Sequence, residues 1–192
     1  MKLFRSITDP EVVQLLKSGA VGVLPGDTVY GLMGIGSKPE TVARIFEIKR
    51  RENKPGTVIA ASVEQLVELG LKRRYLVPVG QYWPGAVSVI IPAGDELEYL
   101  HQGLHGLAVR VPAGNDLQKL LQQTSALMTT SANIAGEPTA VTVEEAQKYF
   151  GDAVDFYVDG GDLSDRLPST IVRVVDDAIE VVRQGAVQVN AD

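Results

Sequence analysis

Cysteine is absent from the 192 residues, which excludes disulfide bonds and thiolate metal sites. A chain without disulfides fits a reducing compartment. Long apolar runs are also missing, since no stretch reaches the roughly 18 residues of a membrane-spanning helix. The first residues, MKLFRSITDPEVV, do not make a signal peptide, because their apolar run is short and acidic residues follow at once. We therefore expect a cytoplasmic protein with no membrane contact.

Several motifs of known chemistry are missing as well. There is no G-x-x-x-x-G-K-[ST] P-loop, and the spacing of Gly31, Gly34 and Gly36 does not fit the G-x-G-x-x-G of dinucleotide-binding folds. The G-x-S-x-G turn of serine hydrolases is also absent. His101 and His105 are four residues apart, but the neighbouring glycines favour a solvated loop over a metal site. The sequence therefore predicts no resident metal.

The charge balance is acidic, with 24 Asp and Glu against 18 Lys and Arg and a net charge of −6. Such a balance argues against a protein that coats nucleic acid, because phosphate binding depends on clustered Lys and Arg. A local basic pocket remains compatible with it, since cations are concentrated in residues 49–54 and 72–74. Hydrophobic residues make up 45% of the chain, which is ordinary for a globular domain with a substantial core.

Helices are predicted where apolar residues recur at helical spacing between capping residues. Asp9 should cap a first helix over residues 9–18, and Gly19 should end it. Asn115 is the expected cap of a helix over 115–124. Further helices are expected over 38–51, 63–70 and 142–150, the last with a Thr142–Glu145 capping box.

Strands are predicted where short apolar, β-branched runs lie between turn residues. They are expected over 20–25, 56–62, 85–93, 106–113 and 126–133, with three more within 154–187. This alternation predicts one α/β domain, residues 1–192, with a twisted mixed sheet and flanking helices. Polar segments follow several strands, namely PGDT, RVPAGN, TTSAN and SDRLPST. Ligands of open α/β folds bind at strand ends, so these segments are candidate binding residues.

Each of these polar segments also has an ordinary structural explanation. The cations from Lys49 to Lys54 fit a solvated helix end and a clamp for a polyanion equally well. The run from Thr129 to Asn133 fits either a turn or a binding segment. Arg110 and Arg183 each lie among valines, so each either faces water or needs an internal partner. Two such arginines suggest a shared anionic ligand.

The polar segments occur in the same order as the motifs of the YrdC family, the threonylcarbamoyl-AMP synthases, over residues 8–187. PGDTVYGL resembles the family's P-T-[DE]-T-V-Y-G-L, and IFEIKRR resembles its I-x-x-x-K-x-R. WPGAVSVII, LAVRVP, TTSANIAGEP, VDGG with PSTIV, and VVRQGAV resemble the later motifs. The resemblance implies a twisted α/β fold with a large concave, positively lined cavity, of the short, single-domain bacterial type.

The implied activity is that of a nucleotidyltransferase, L-threonylcarbamoyladenylate synthase. It joins L-threonine, bicarbonate or carbon dioxide, and ATP with Mg²⁺ into threonylcarbamoyl-AMP and pyrophosphate. A downstream threonylcarbamoyl transferase complex then modifies adenosine 37 of tRNA. By the resemblance, Thr28 and Tyr30 line the threonine subsite, Arg110 pairs with the threonine carboxylate, and Ser131 and Ser169 complete that subsite.

The resemblance also assigns the nucleotide side of the site. Lys49 and Arg51 are the implied catalytic residues, with Lys49 near bicarbonate and the phosphates and Arg51 on the phosphates. The implied ATP-binding residues besides Arg51 are Lys54, Thr130, Asn133, the main chain at Val141, and Arg183. The sequence leaves open whether Asn53 or Lys54 takes the nucleotide-contacting place.

The chain departs from the family pattern at several positions. Gly26 replaces a threonine of P-T-[DE]-T, Gly106 replaces a frequent threonine, Ala135 replaces a serine, and the segment after Arg51 is one residue short. These departures also fit a divergent paralogue that binds nucleotide or double-stranded RNA without making the adenylate. A third interpretation is a carbamoyl-transfer domain of a larger maturation enzyme. It is not favoured, because zinc-finger and acylphosphatase-like segments are missing.

Overall fold

The computed structural model describes residues 2–50, 54–175 and 178–190. The strands are β1 (Lys2–Phe4), β2 (Gly22–Pro25), β3 (Tyr30–Ile35), β4 (Thr57–Ile59), β5 (Val87–Pro92), β6 (Gly106–Arg110), β7 (Leu127–Ser131), β8 (Phe156–Val158), β9 (Thr170–Val175) and β10 (Ala178–Arg183). The helices are α1 (Pro10–Ser18), α2 (Pro39–Lys49), α3 (Val63–Glu68), α4 (Arg73–Leu76), α5 (Glu98–His101), α6 (Asn115–Thr124) and α7 (Val143–Phe150). Short 3-10 turns occupy Gly80–Tyr82, Asp95–Leu97 and Gly151–Ala153.

The ten strands of the described residues form a single sheet in the order β1-β8-β2-β3-β7-β4-β6-β5-β9-β10. Four of the pairings are parallel, namely β1–β8, β2–β8, β4–β6 and β5–β9. The other five are antiparallel. The predicted mixed α/β sheet is therefore confirmed.

The ends of α1 follow the predicted capping residues. The Asp9 carboxylate accepts a hydrogen bond from the Glu11 amide, and Gly19 ends the helix in the left-handed region with φ 99°. The prediction for α6 was wrong in one detail. Gly114, with φ 106°, is the N-cap, and Asn115 is already the first helical residue. A left-handed turn before the helix favours glycine, which explains the shift by one position.

The capping box of α7 is present in a modified form. The Thr142 hydroxyl accepts a hydrogen bond from the Glu145 amide at 3.3 Å, as predicted. The Glu145 carboxylate accepts from the amide of Val141 at 2.9 Å, one residue before the predicted partner. The reciprocal pair therefore still satisfies two amides at the start of the helix.

Strand β3 was missed from the sequence because it is rich in glycine, which disfavours strands. It returns antiparallel to β2 after the PGDT turn and then pairs with β7 on its other edge. The glycines are needed for close packing. A methyl group on Gly31 would lie 2.6 Å from the Thr129 hydroxyl, and one on Gly34 would lie 2.5 Å from the Thr41 methyl.

Side-chain alternation divides the core between the two faces of the sheet. Helices α1 and α6 pack on one face through residues such as Leu16 and Leu120, against sheet residues that include Met33 and Ile59. The alternate strand residues, such as Val58, point to the other face and pack there in a larger cluster with α2 and α3. Met33 and Ile59 also line an open cavity beside α6. The first face is therefore only partly covered by helices.

Within the described residues, no helix is long and apolar enough to span a membrane.

Candidate functional site

The cavity has a volume of about 440 Å³ and lies on the face of the sheet that α1 and α6 cover only in part. Its floor is a row of side chains that are cross-strand neighbours in six strands. In order across β3, β7, β4, β6, β5 and β9, the row comprises Met33, Thr129, Thr57, Ala108, Ile90 and Arg173. All six residues line the cavity. Sheet register therefore brings together residues that are far apart in the sequence.

One wall of the cavity is the PGDT turn between β2 and β3. The Gly26 amide donates a hydrogen bond to the Val29 carbonyl at 3.0 Å, which closes the turn. A methyl group on Gly26 would lie 2.8 Å from that carbonyl oxygen, so this turn requires glycine where the family pattern has threonine. Thr28 is buried and lines the cavity, and its contact with substrate stays a prediction.

Arg110 is held inside the protein by Asp27, the residue before Thr28. Arg110 Nη2 donates to Asp27 Oδ1 at 2.8 Å, and only 7% and 6% of the two side chains are exposed. Of the two alternatives for this arginine, an internal partner is confirmed and a solvent-facing side chain is wrong. Asp27 was missed as that partner, because 83 residues separate the two in the sequence.

Burial shapes the electrostatics of this pair. Burial raises the pKa of the Asp27 carboxyl, and the Arg110 charge and the backbone amides of Asp27 and Ala113 offset only part of the rise. Burial likewise lowers the pKa of Arg110, and Asp27 partly restores it. Asp27 Oδ2 and Arg110 Nε are buried without a hydrogen-bond partner among the described residues. Such groups carry a free-energy penalty, which is characteristic of functional sites.

A hydrogen-bonded path connects Arg110 to Arg183. Arg110 Nη1 donates to Ser88 Oγ at 3.3 Å, and the hydroxyls of Ser88 and Ser169 are 3.0 Å apart. Arg183 Nη2 donates to the Ser169 carbonyl at 2.7 Å, and its Nε donates to the same oxygen at 3.2 Å. Ser88 was missed from the sequence, although a hydroxyl inside the apolar run GAVSVII could have indicated it. Three predicted residues therefore lie in one network.

Lys49, at the end of α2, forms a second group of predicted residues. Its side chain is buried, and Nζ donates to the Ser131 carbonyl at 2.6 Å and to the Ser131 hydroxyl at 3.2 Å. It also donates to Asn133 Oδ1. The explanation as a solvated helix end was thus wrong for Lys49, although the next residue, Arg50, is exposed. The alternative of a polyanion clamp stays a prediction.

Asn133 is itself fixed by its neighbours. Ser131 Oγ donates to Asn133 Oδ1 at 2.7 Å, and Asn133 Nδ2 donates to the Glu137 carbonyl at 2.5 Å. Ser131 lines the cavity, and Thr130 lines it as well. The TTSAN segment is therefore more than a surface turn, because it binds the Lys49 ammonium and forms part of the cavity wall.

Other predicted residues lie in less direct positions. Tyr30 is fully buried, and its hydroxyl donates to the Gly161 carbonyl and accepts from the Gly160 amide, each at 2.8 Å. Tyr30 lines the cavity, and its contact with substrate stays a prediction. Lys54 is exposed and does not line the cavity.

The predictions at Val141 and in the basic segment have mixed outcomes. The Val141 amide donates a hydrogen bond to the Glu145 carboxylate, and the Val141 carbonyl accepts one from the Leu163 amide. The contact of Val141 with the nucleotide also stays a prediction. Arg51, predicted to act in catalysis and on the phosphates, and Asn53 lie outside the described residues.

The histidine pair does not form the predicted solvated loop. His101 is fully buried, with one ring nitrogen 3.1 Å from the Gly94 carbonyl and the other accepting from the His105 amide at 3.2 Å. Only the His105 side chain is largely exposed. Within the described residues, no group of three His, Cys, Asp or Glu side chains is placed to hold a metal ion. The magnesium ion expected with ATP stays a prediction.

Comparison with known proteins shows the family of this chain. The family model of Sua5/YciO/YrdC, described as telomere recombination, matches residues 14–185. A threonylcarbamoyl-AMP synthase of Vibrio campbellii is 32% identical over 168 residues, which are 84% of this chain and 91% of the relative. The chain therefore belongs to the Sua5/YciO/YrdC family.

Two solved structures show the same fold. Pyrococcus abyssi Sua5, crystallised with L-threonine, superposes with a TM-score of 0.83 at 25% identity and 96% coverage of this chain. The chain spans 57% of that Sua5 chain. E. coli YciO superposes with a TM-score of 0.78 at 22% identity, covering 96% of this chain and 94% of YciO, which shows the fold alone.

Proposed function

We propose that this chain is an L-threonylcarbamoyladenylate synthase. The reaction joins L-threonine, carbon dioxide or bicarbonate, and MgATP into threonylcarbamoyl-AMP and pyrophosphate. The observation that carries the proposal is the path from Arg110 through the buried Ser88 to Ser169 and Arg183, because Arg110, Ser169 and Arg183 all line one cavity. This reaction needs a site for the threonine carboxylate next to a site for the ATP phosphates.

The amino-acid side of the site lies between the PGDT turn and β6. Thr28 supplies a hydroxyl, and Arg110 supplies a cation whose charge Asp27 already balances. A threonine zwitterion also has no net charge, so it adds no net charge to this buried region. The P. abyssi Sua5 structure contains L-threonine, and this likeness supports threonine as the substrate here.

The nucleotide side is assigned to Arg183, the TTSAN segment and Lys49. A guanidinium binds phosphate oxygens through two parallel hydrogen bonds, whereas an ammonium acts as a point charge. Arg183 lies at the cavity wall, and Lys49 is fixed beneath Ser131. Arg51 is proposed as a further phosphate ligand on the strength of the family motif.

The chemistry requires positioning and charge neutralisation rather than a protein nucleophile. The threonine ammonium first loses a proton, and the neutral amine then attacks carbon dioxide, forming a carbamate and releasing a second proton. A carbamate oxygen then attacks the α-phosphate of ATP, and pyrophosphate leaves. Arginines and a lysine held by hydrogen bonds stabilise the charge that develops on the phosphate oxygens. Holding the reactants at contact distance supplies much of the remaining rate.

The proposal extends to the fate of the product. Threonylcarbamoyl-AMP is an activated acyl donor, so a transferase must consume it, and the proposed acceptor is adenosine 37 of tRNA. We place this reaction in the cytoplasm, with which the absence of cysteine is compatible.

The test is pyrophosphate release by the purified protein with ATP, Mg²⁺, bicarbonate and threonine. We expect release that requires both threonine and bicarbonate. Serine and 2,3-dihydroxybutanoate, which lack the methyl group and the amine respectively, are the matched controls. Pyrophosphate that forms equally without threonine, or no pyrophosphate despite ATP binding, would contradict the synthase assignment.

A further inference from the structure

A third arginine lines the same cavity, beyond the residues assigned so far. Arg173 lies on β9 two residues after Ile171, so the two side chains share one face of the strand. Ile171 is the cross-strand neighbour of Arg183. Since a strand rises about 3.3 Å per residue, Arg173 lies roughly 7 Å farther along the cavity wall than that neighbouring pair. Such a spacing suits successive groups of a polyphosphate.

Arg173 is paired with Glu180 of β10, its cross-strand neighbour. Nε donates to Oε2 at 2.7 Å, and Nη2 donates to Oε1 at 3.0 Å, so the carboxylate occupies one edge of the guanidinium. No described residue accepts a hydrogen bond from Nη1 on the other edge. Half of each side chain is exposed. The guanidinium is therefore accessible to a ligand in the cavity.

The ion pair does little for stability, because exposed pairs are screened by water. The charges that line the cavity suggest that Arg173 binds a ligand. The charged residues lining the cavity, in the described part of the chain, are Asp27, Arg110, Arg173 and Arg183. Asp27 pairs with Arg110 where both side chains are buried, whereas Glu180 pairs with only one edge of the half-exposed Arg173, so Arg173 keeps donors for an anionic ligand. MgATP still carries negative charge on its terminal phosphates, and one arginine alone would balance little of it.

We propose that Arg173 binds the terminal phosphates of ATP, the group that leaves as pyrophosphate, and that Glu180 is its counter-ion in the free protein. The inference rests on the proposed function for the identity of the nucleotide. Phosphate oxygens form short, charge-assisted hydrogen bonds with the free edge of the guanidinium. The Glu180 carboxylate repels the same phosphates and weakens their binding.

The test measures the affinity of inorganic pyrophosphate and of AMP for the wild type and for Arg173→Gln and Glu180→Gln. Arg173→Gln should weaken pyrophosphate binding about tenfold and change AMP binding less than twofold. Glu180→Gln should tighten pyrophosphate binding about threefold. The two substitutions should therefore change the affinity for pyrophosphate in opposite directions. If the ion pair had only a structural role, breaking it at either residue would change the affinity in the same direction.

Two further variants complete the test. Arg173→Lys keeps the positive charge and should retain part of the affinity for pyrophosphate. A partial affinity in this variant would show that the loss in Arg173→Gln comes from the lost charge and not from misfolding. Arg73→Gln breaks a comparable exposed pair with Glu64, outside the cavity, and should leave both affinities unchanged. Unchanged pyrophosphate affinity in Arg173→Gln, or a shift of the same sign in both variants of the pair, would overturn the inference. Because the titration needs no threonine chemistry, its result is separate from that of the synthase assay.

Discussion

The hydroxyls of Ser88 and Ser169 lie 3.0 Å apart in the interior of the protein. This contact joins β5 to the segment before β9, and it connects the Arg110 and Arg183 sides of the cavity. The two arginines are therefore parts of one hydrogen-bonded wall. A change at either serine should affect the binding of both substrates.

Ser88→Ala tests this connection. The substitution removes the acceptor of Arg110 Nη1 and one partner of Ser169. A hydrogen bond to a charged group contributes about 1.5–3 kcal/mol, so the dissociation constant of threonine should rise roughly tenfold or more. Calorimetric titration measures it. Ser18→Ala, at an exposed hydroxyl of α1, is the control, and equal affinity in the two variants would show that the contact is not used.

Lys49→Met tests the buried ammonium. Methionine has a similar length but no charge, so the Ser131 carbonyl and Asn133 Oδ1 lose a donor. We expect the rate of threonine-dependent pyrophosphate release to fall about 100-fold, as when a preorganised donor is removed from an active site. Lys17→Met, in the last turn of α1 as Lys49 is in the last turn of α2, should keep the wild-type rate. A Lys49→Met enzyme with full activity would remove Lys49 from the site.

Gly22→Ala tests the packing of β2. A methyl group there would lie 2.3 Å from the ring of Phe156, which is fully buried. Overpacking of this kind typically lowers the free energy of unfolding by about 1–3 kcal/mol. Denaturant unfolding measures the change. Gly80→Ala is the matched control, because nothing lies within 4 Å of its added methyl group. Equal stabilities of the two variants would contradict the packing shown for β2.

The pH dependence of stability can be tested at Asp155. Burial opposes ionisation of Asp155, but hydrogen bonds from Arg44 and the Val21 amide outweigh it and lower its pKa below the ordinary 3.8. A lowered carboxyl pKa stabilises the folded state above pH 3.8, and this contribution is lost as the pH falls through the lower folded value.

Asp155→Asn should therefore have a lower Tm than the wild type at pH 7, and the difference should shrink towards pH 3. Thermal unfolding across that range measures it. A difference that stays constant with pH would mean that the ion pair with Arg44 does not set the carboxyl pKa.

Features with local causes could be predicted from the sequence. Asp9 and Gly19 mark the ends of α1, because each acts on backbone groups within a few residues. Asn115 was misassigned by a single position, because the left-handed turn at Gly114 is set by the preceding loop. Most strands were found from their apolar, β-branched composition. Strand β3 was not, since its glycines are explained only by the close approach of β7 and α2.

The site could be predicted in part. Ordered motifs pointed to Thr28, Ser131 and Ser169, which line the cavity. The partners of the charged residues could not be predicted from the sequence. Nothing near Arg110 in the sequence points to Asp27, and their contact depends on how the PGDT turn meets β6 in the folded protein. The burial of Lys49 follows in the same way from the position of β7 beside the end of α2.

The most direct measurement is detection of the adenylate itself by mass spectrometry, with isotopically labelled bicarbonate. We predict a threonylcarbamoyl-AMP product that carries the label in its carbamoyl carbon, forms only with threonine and ATP, and decreases at least tenfold in Ser131→Ala. Absence of any labelled adenylate from the wild-type protein, under conditions where it binds both threonine and ATP, would contradict the assignment as a synthase.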